Sequence, residues 1–305
     1  MKIAITGGLG HIGSRVMRVF PIIFKDAEFL VVDNFETQRY VSLYNLDTAT
    51  RKRTEFVECN ILESDMNLLR GSDVVIHLAS ITDATASVGR LKERVMRENL
   101  EMTKRVATAC NKNDIKMIFP SSTSVYGSQD AVVNEDSNVN PQSPYAETKV
   151  KEEDFVRSID TLNSCIFRFG TISGISHGMR FHTAVNRFCL QAALGQPLTV
   201  WKIAFNQLRP YLSLVDAVEA MAFVIECKIF DGETYNCLTT NMTVKDVVDK
   251  ISKFIPDLQI NYVDHKIMNQ VSYEVSSEKI KSKGFGFKGD IDADIEDTIK
   301  LLGAV

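Results

Sequence analysis

The sequence predicts an α/β fold, a doubly wound parallel sheet with a smaller C-terminal α/β substrate-binding lobe. Three observations predict it. Apolar strand-like runs and helical runs alternate six times over the first 170 residues, the order that builds a parallel sheet with helices on both faces. The first strand runs straight into a glycine-rich turn that opens a helix. The second strand ends in an acid, Asp33, about 20 residues beyond that turn.

Size and composition set the bounds. With 305 residues, 45% of them hydrophobic, the chain can bury a large core as one elaborated domain or two smaller ones. The expected division is 1–170 for a sheet domain, with 210–227 returning to it, and 171–305 mainly for the substrate lobe. A net charge of -4 with no basic block argues against nucleic acid as the main partner. No signal peptide is read at the start, and no apolar run reaches membrane-spanning length. The six cysteines form no Cys-x-x-Cys pair and the five histidines no metal spacing. A cytoplasmic protein with no metal, no membrane and no nucleic acid is expected.

The apolar run 2–6 reads as a buried strand, and Thr6-Gly7-Gly8-Leu9-Gly10-His11-Ile12-Gly13 follows it. Glycine suits this turn because the backbone visits unusual angles and phosphate oxygens must come close to the main chain. The first helical N–H groups, around His11, Ile12 and Gly13, then point at a pyrophosphate along a favourable dipole. The strand at 28–33 delivers Asp33, whose carboxylate suits ribose hydroxyls, and Asn34 comes next. Together these features read as a dinucleotide site on a Rossmann-type sheet.

After a polar piece with a short helix expected at 40–46, the strand 55–59 leads to Asn60 and Ile61. Asn60 reads either as a contact to an adenine amino group or as an Asx turn before a helix at 63–69. The strand 74–78 ends in Leu78, Ala79 and Ser80, small residues at 79 and 80 letting a flat ring approach. In the long helix expected at 90–112, Asn99 is polar beside apolar neighbours and reads as a hydrogen bond to the sheet or as nothing. The strand 116–119 runs into Pro120-Ser121-Ser122-Thr123-Ser124-Val125-Tyr126-Gly127, a helix is expected at 145–157, and the strand 165–169 ends in Phe169. Ligands of such sheets bind outside the carboxyl ends of the strands, where Asp33, Asn60, Ala79, Ser122 and Phe169 all fall. Beyond 170, a loop at 174–182 and helices at 182–194, 215–227, 244–254, near 277 and at 293–302 alternate with short strands at 197–201, 209–214, 234–237 and 259–263. They are expected to form the smaller lobe closing over the sheet edge.

The chemistry is expected at Tyr145-Ala146-Glu147-Thr148-Lys149, where a phenol and an ammonium four apart share one helix face. A tyrosine titrates near 10 in isolation. A neighbouring Lys⁺ and a cationic oxidised nicotinamide both favour the phenolate, which then takes a proton from a substrate hydroxyl while hydride leaves the same carbon. Ser122 is the candidate to hydrogen-bond that oxygen as charge develops, with Thr123 and Ser124 competing for the task.

Gly7-Gly8-x-Gly10-x-x-Gly13, Asp33, the 121–127 segment and Pro141-Gln142-Ser143-Pro144-Tyr145-x-x-x-Lys149 resemble the extended short-chain dehydrogenase/reductase family. The nearest group in that family is the NAD-dependent nucleotide-sugar epimerases and dehydratases. Arg209-Pro210-Tyr211-Leu212-Ser213-Leu214-Val215-Asp216 is similar to a later family segment, so the likeness covers nearly the whole chain. The resemblance implies Tyr145 as base, Lys149 as ribose binder and tyrosine tuner, and Ser122 as oxyanion partner. It implies NAD over NADP, since Asp33 repels a 2′-phosphate. The implied cofactor set is Gly7, Gly10, His11, Ile12, Gly13, Asp33, Asn34, Asn60, Ile61, Leu78, Ala79, Ser80, Asn99 and Phe169, with Tyr145 and Lys149. Substrate contacts are implied for Thr82, Ser122, Thr123, Thr171, Arg180, Asn186 and Arg209, and a homodimer through the helices at 90–112 and 145–157.

The chain departs from the family at informative places. Ser122-Thr123-Ser124 stands where dehydratases carry Thr-Asp-Glu, so the acid pair that eliminates water is absent. Asn60 replaces a usual Asp, and Thr171 a usual Asn. The expected activity is NAD-dependent epimerisation of a nucleotide sugar at C4 through a 4-keto intermediate. The alternatives are a reductase, dehydrogenase or dehydratase of a nucleotide sugar and, outside enzymes, a non-catalytic NAD-sensing protein.

Overall fold

The computed structural model describes residues 1–82, 90–264 and 272–303, without the side chains of Arg90 and Leu91. Its main sheet holds β1 (Lys2–Thr6), β2 (Glu28–Asp33), β3 (Thr54–Glu58), β4 (Val74–His77), β5 (Lys116–Ser122), β6 (Ser164–Phe169) and β10 (Thr234–Cys237). All seven strands are parallel, in the order β10-β6-β5-β4-β1-β2-β3. Successive side chains of a strand face opposite ways, and here both ways are covered. Ile3, Ile5, Phe29, Val31 and Phe167 pack with α1 (His11–Ile23) and α6 (Leu214–Cys227). Ala4, Leu30, Val32, Val75 and Ile166 pack on the other face with α3 (Arg90–Lys112) and α4 (Pro144–Arg157). That two-sided burial explains the unbroken apolar runs of these strands.

The first 170 residues therefore supply six strands of a seven-stranded sheet. β10, expected in the smaller lobe, lies against β6 with Thr234 opposite Ile166. β5 runs on through Pro120 to Ser122 rather than stopping at Phe119. β4 pairs with β5 only as far as Ile118, so the missing N–H of Pro120 costs no ladder bond on that side. The helix expected at 63–69 is only a 3₁₀ turn, Asn67–Leu69. Ser64 Oγ and Asp65 Oδ1 accept from the Met66 and Asn67 backbone N–H groups, and Met66 is left-handed at φ 61°, which diverts the chain from a helix. The helix expected at 40–46 is likewise a 3₁₀ turn, Tyr40–Leu43, followed by α2 (Thr48–Lys52), capped by Asp47.

The rest of the chain builds two small sheets. β7 (Thr171–Ser173) pairs in parallel with β9 (Leu208–Ser213), and β11 (Thr240–Thr243) pairs antiparallel on its other side. β8 (Leu198–Trp201) pairs with β12 (Ile260–Val263). α5 (Ala184–Ala193), α7 (Val244–Ser252) and α9 (Ile291–Leu301) share a core with them, and α8 (Glu278–Ser282) packs on β10.

Asp294 of α9 ties this part together, accepting from Ser173 Oγ at 2.6 Å and from Ser213 Oγ at 3.2 Å. Burial pushes its carboxyl up to about 6, Asp216 adding to the effect and the two serines opposing it. The folded chain thus holds a proton that the unfolded chain, with an ordinary carboxyl, gives up near pH 4. Stability falls as pH rises through the window between those values, by roughly 3 kcal/mol in all and about 1.4 kcal/mol between about pH 5 and 7.5. Asp294→Asn removes that contribution. Thermal or urea unfolding at both pH values checks it, and equal slopes for variant and wild type would refute it.

Candidate active site

The order of the sheet reverses between β1 and β4, and the glycine turn sits there. Gly7 has φ +67°, and a Cβ on it would stand 2.6 Å from the Ala79 backbone nitrogen. A Cβ on Gly13 would meet the Gly8 Cα at 2.6 Å. The chain therefore enters α1 pressed against the end of β4. Gly10, the N-cap of α1, offers no side-chain hydrogen bond, so the helix N–H groups stay available to an anion.

The electrostatics fit a diphosphate. Burial, then Arg39, His182 and Arg180, lower His11 to about 3, so its ring is neutral among cations. Arg39 is lowered to about 10 by burial and by Arg180, with Asp33 acting against them. His11 Nε2 and Ser80 Oγ are buried without a hydrogen-bond partner among the described residues. Cations gathered at a helix N-terminus, beside unsatisfied polar atoms, match the two phosphates of a dinucleotide. Asp33 Oδ2 accepts from Leu9 N and its Oδ1 from Phe35 N, each at 3.0 Å, which ties the end of β2 to the glycine turn. NAD fits this cradle.

The remaining expected cofactor residues divide. Leu78 donates its N–H to Thr6 O at 3.0 Å and half-buries its side chain on the sheet. Ala79 walls the Gly7 cradle. Ile61 is buried in the core rather than open at the edge, and Asn34 is exposed with its Oδ1 on Glu36 N. Asn60 takes the turn reading: its Oδ1 accepts from Leu62 N at 3.1 Å and its Nδ2 donates to Glu63 Oε1 at 2.9 Å. Asn99 is buried and holds the chain after β4, accepting from Ile81 N at 2.8 Å and donating to Ile81 O at 3.0 Å. Both amides are thus engaged in shaping the edge. Phe169 is buried, stacked on Phe167.

Ser143 caps α4, accepting from Ala146 N at 3.1 Å, and Pro144 occupies the first turn where its missing N–H is harmless. This start aims Tyr145 and Lys149 at the end of β5. Lys149 is buried, its Nζ 3.3 Å from Pro120 O, 3.1 Å from Glu152 Oε2, and 5.8 Å from the Tyr145 ring centre. Charge neighbours hold Lys149 above its ordinary value although burial opposes them, Glu152 being the largest of these. Burial and Glu152 push Tyr145 up, while Lys149 and Arg180 pull it down. Ser122 lies two residues beyond Pro120 and opposite Phe169 in the β5–β6 register. Its Oγ accepts from Ser124 N at 3.2 Å and from Ser124 Oγ at 2.9 Å, which orients it. Thr123 is buried and donates to Phe169 O at 3.2 Å, so it braces the edge.

Among the expected substrate residues, Arg180 Nη1 donates to Thr82 Oγ1, joining the chain after β4 to the loop at 174–183. Asn186 is buried in α5, donating to Arg180 O at 3.1 Å, its Oδ1 without a partner among the described residues. Thr171 is half-buried at the start of β7, and Arg209 of β9 reaches Gln207 Oε1 at 3.5 Å.

Sequence reasoning missed the groups that dock this loop on α1. Arg39 Nη1 donates to Gly178 O at 2.7 Å, Gly178 N donates to Ser14 Oγ at 2.8 Å, and Ser176 Oγ meets His11 Nδ1 at 2.8 Å. A Cβ on Gly178 would lie 2.3 Å from Leu9 O, so the glycine in Gly178-Met179-Arg180 was the available signal. Among the described residues no group of His, Cys, Asp or Glu is set to hold a metal ion.

Residues 3–237 match the family model described as the NAD dependent epimerase/dehydratase family. The chain is 31% identical over 248 residues to an uncharacterised UDP-glucose epimerase, YtcB, of Bacillus subtilis (strain 168), covering 77% of this chain and 76% of that one. It is 26% identical over 320 residues to the dTDP-D-glucose 4,6-dehydratase of Bos taurus, covering 93% and 83% of the two chains. Its fold superposes on UDP-glucuronic acid 4-epimerase of Bacillus cereus, crystallised with UDP-glucuronic acid and NAD, with a TM-score of 0.87 over 99% of each chain at 23% identity. The chain belongs to the NAD dependent epimerase/dehydratase family.

Proposed function

We propose that the protein is an NAD-dependent nucleotide-sugar 4-epimerase. The observation that carries this reading is the Tyr145–Lys149 pair, with Lys149 Nζ on Pro120 O two residues before Ser122 and with no acid pair at 123 and 124. NAD, held by the glycine cradle and Asp33, would supply a hydride acceptor and donor for the sugar C4. Tyr145, as phenolate, accepts the proton of the 4-hydroxyl as the C4–H bond breaks. Lys149 holds positive charge beside the phenolate, and Ser122 Oγ hydrogen-bonds the same substrate oxygen as it becomes a ketone oxygen. Once the 4-keto sugar presents its other face for reduction, Tyr145 returns the proton to its oxygen. No atom is lost and no cofactor is consumed. A dehydratase needs a second acid–base pair to expel water, and Thr123 and Ser124 supply no carboxylate.

Residues 171–305, apart from β10 and the returning stretch 210–227, are proposed as the lobe that binds the nucleotide sugar, through Thr171, Arg180, Asn186 and Arg209, with Thr82 contributing from the chain after β4. The same proposal includes a cytoplasmic homodimer through α3 and α4. The free cysteines agree with a reducing compartment. No helix of the described residues is long and apolar enough to cross a membrane.

The test is to incubate the NAD-loaded protein with a panel of UDP- and dTDP-sugars. The expected result is interconversion of one C4-epimeric pair with no net change at about 340 nm. Accumulation of NADH in step with substrate loss would establish a dehydrogenase instead.

A further inference from the structure

Behind Lys149 lies a buried chain of polar groups that the acid–base step above does not use. Glu152, almost one turn along α4 from Lys149, is 1% exposed. Thr103 Oγ1 stands 2.6 Å from Glu152 Oε1, and Lys149 Nζ stands 3.1 Å from Oε2. Oε2 has no aligned hydrogen-bond partner among the described residues, so the ammonium is what compensates it.

The direction of the chain follows from proton counting. A carboxylate only accepts, so Thr103 gives its single proton to Glu152 and accepts from His77 Nε2, 3.2 Å away. His77 then carries its proton on Nε2, and its Nδ1 accepts from Thr6 Oγ1 at 2.8 Å. Thr6 Oγ1 accepts in turn from Ala79 N at 3.4 Å, at the wall of the Gly7 cradle. Burial, with Lys149 adding to it, lowers His77 to about 3, which keeps it in the neutral form this arrangement requires.

We propose that Glu152 is a positioning residue of the Tyr145–Lys149 pair. Its carboxylate, anchored by Thr103 Oγ1, fixes the Lys149 ammonium against Pro120 O and by its charge sets the pH at which the Tyr145 hydroxyl ionises. Among the described residues, few charged groups face the pair. On α4 they are Lys149, Glu152 and Glu153, the last claimed by Arg168 of β6 at 2.8 Å and by Arg157 at 2.5 Å. From β4 comes neutral His77, and from the 174–183 loop Arg180. A carboxylate on the ammonium next to the phenol offsets the pull of that ammonium on the phenolate, so removing its charge moves Tyr145 to lower pH.

The proposal rests on the acid–base role given to Tyr145 above, and its test needs no sugar. The NAD⁺-loaded protein is titrated by ultraviolet difference absorbance of tyrosinate, each form measured against its own Tyr145→Phe version. Glu152→Gln keeps an acceptor for Thr103 and removes the charge, and the Tyr145 midpoint is expected to fall by about one pH unit. Glu152→Asp, which restores a charge, is expected to return it most of the way. Glu152→Met is the second charge-free variant should burying the amide prevent folding, since Thr103 then bonds its own helix carbonyl. A folded charge-free variant whose midpoint stays within about 0.3 unit of wild type would overturn the proposal. A protein that shows the shift but interconverts no nucleotide sugar would instead fault the epimerase reading.

Discussion

Tyr145→Phe lowers turnover of the nucleotide sugar by about 10²–10⁴-fold, the usual contribution of a placed acid–base group, and leaves the fold and NAD affinity in place. The ring keeps its position because what holds it is the start of α4, capped by Ser143, and not the hydroxyl. Lys149 is also undisturbed, since its contacts are to Pro120 O, Glu152 and the face of Phe119. In the proposed mechanism the deleted oxygen is the atom that takes the substrate proton. Burial raises Tyr145 above its ordinary value, so as the proposed base it needs the positive charge of Lys149 and of the oxidised cofactor beside it. Steady-state kinetics with an unchanged melting temperature check this. A loss under about tenfold would remove Tyr145 from the mechanism.

Glu153→Ala destabilises the protein by about 3–5 kcal/mol, the cost of leaving a buried charge without its partner. Glu153 is 1% exposed and Arg168 is 4% exposed. Glu153 Oε2 accepts from Arg168 Nη2 at 2.8 Å and Oε1 from Arg168 Nε at 3.1 Å, while Ser121 Oγ adds a bond of 2.5 Å. Arg168 reaches onward to Tyr126 OH at 2.9 Å, and Tyr126 donates to Asn236 Oδ1 of β10 at 2.8 Å. The Arg168 guanidinium holds the Glu153 carboxyl below its usual range despite burial. One carboxylate thus clamps the helix bearing Tyr145 to three strands. Urea unfolding measures the loss, and a change below about 1 kcal/mol would show that water or Arg157 rescues the site.

How much of this was legible follows from where the information sits. Strands β1 and β2 could be read because burial on both faces leaves continuous apolar runs, and the glycine turn because a Cβ at Gly7 has nowhere to go. The segment of β10 was equally visible as a strand, but its partner was not. Pairing with β6 is set by packing across some 70 residues of chain, not by anything within Thr234–Cys237. The 63–69 helix failed for a local reason, the side chains of Ser64 and Asp65 outcompeting the helix for backbone N–H groups. In the site, the spacing of Tyr145 and Lys149 alone fits an ordinary surface helix, and the pair became legible only beside the glycine turn, Asp33 and the 121–127 segment. Arg39, Ser176 and Gly178 were not, because they meet only when the 174–183 loop docks on α1. Asn60 and Asn99 show the opposite limit: a polar residue at the right edge can be spent on the backbone that shapes it.

The central claim is that hydride leaves C4 and returns to the same carbon within one cofactor-loaded protein. A UDP-sugar deuterated at C4 tests it directly, with product analysed by NMR and mass spectrometry. The expected result is a C4-epimerised product that keeps its deuterium at C4, with no label in water or in free NADH. Deuterium lost to solvent, or released on NADH with a 4-keto sugar left behind, would contradict the claim.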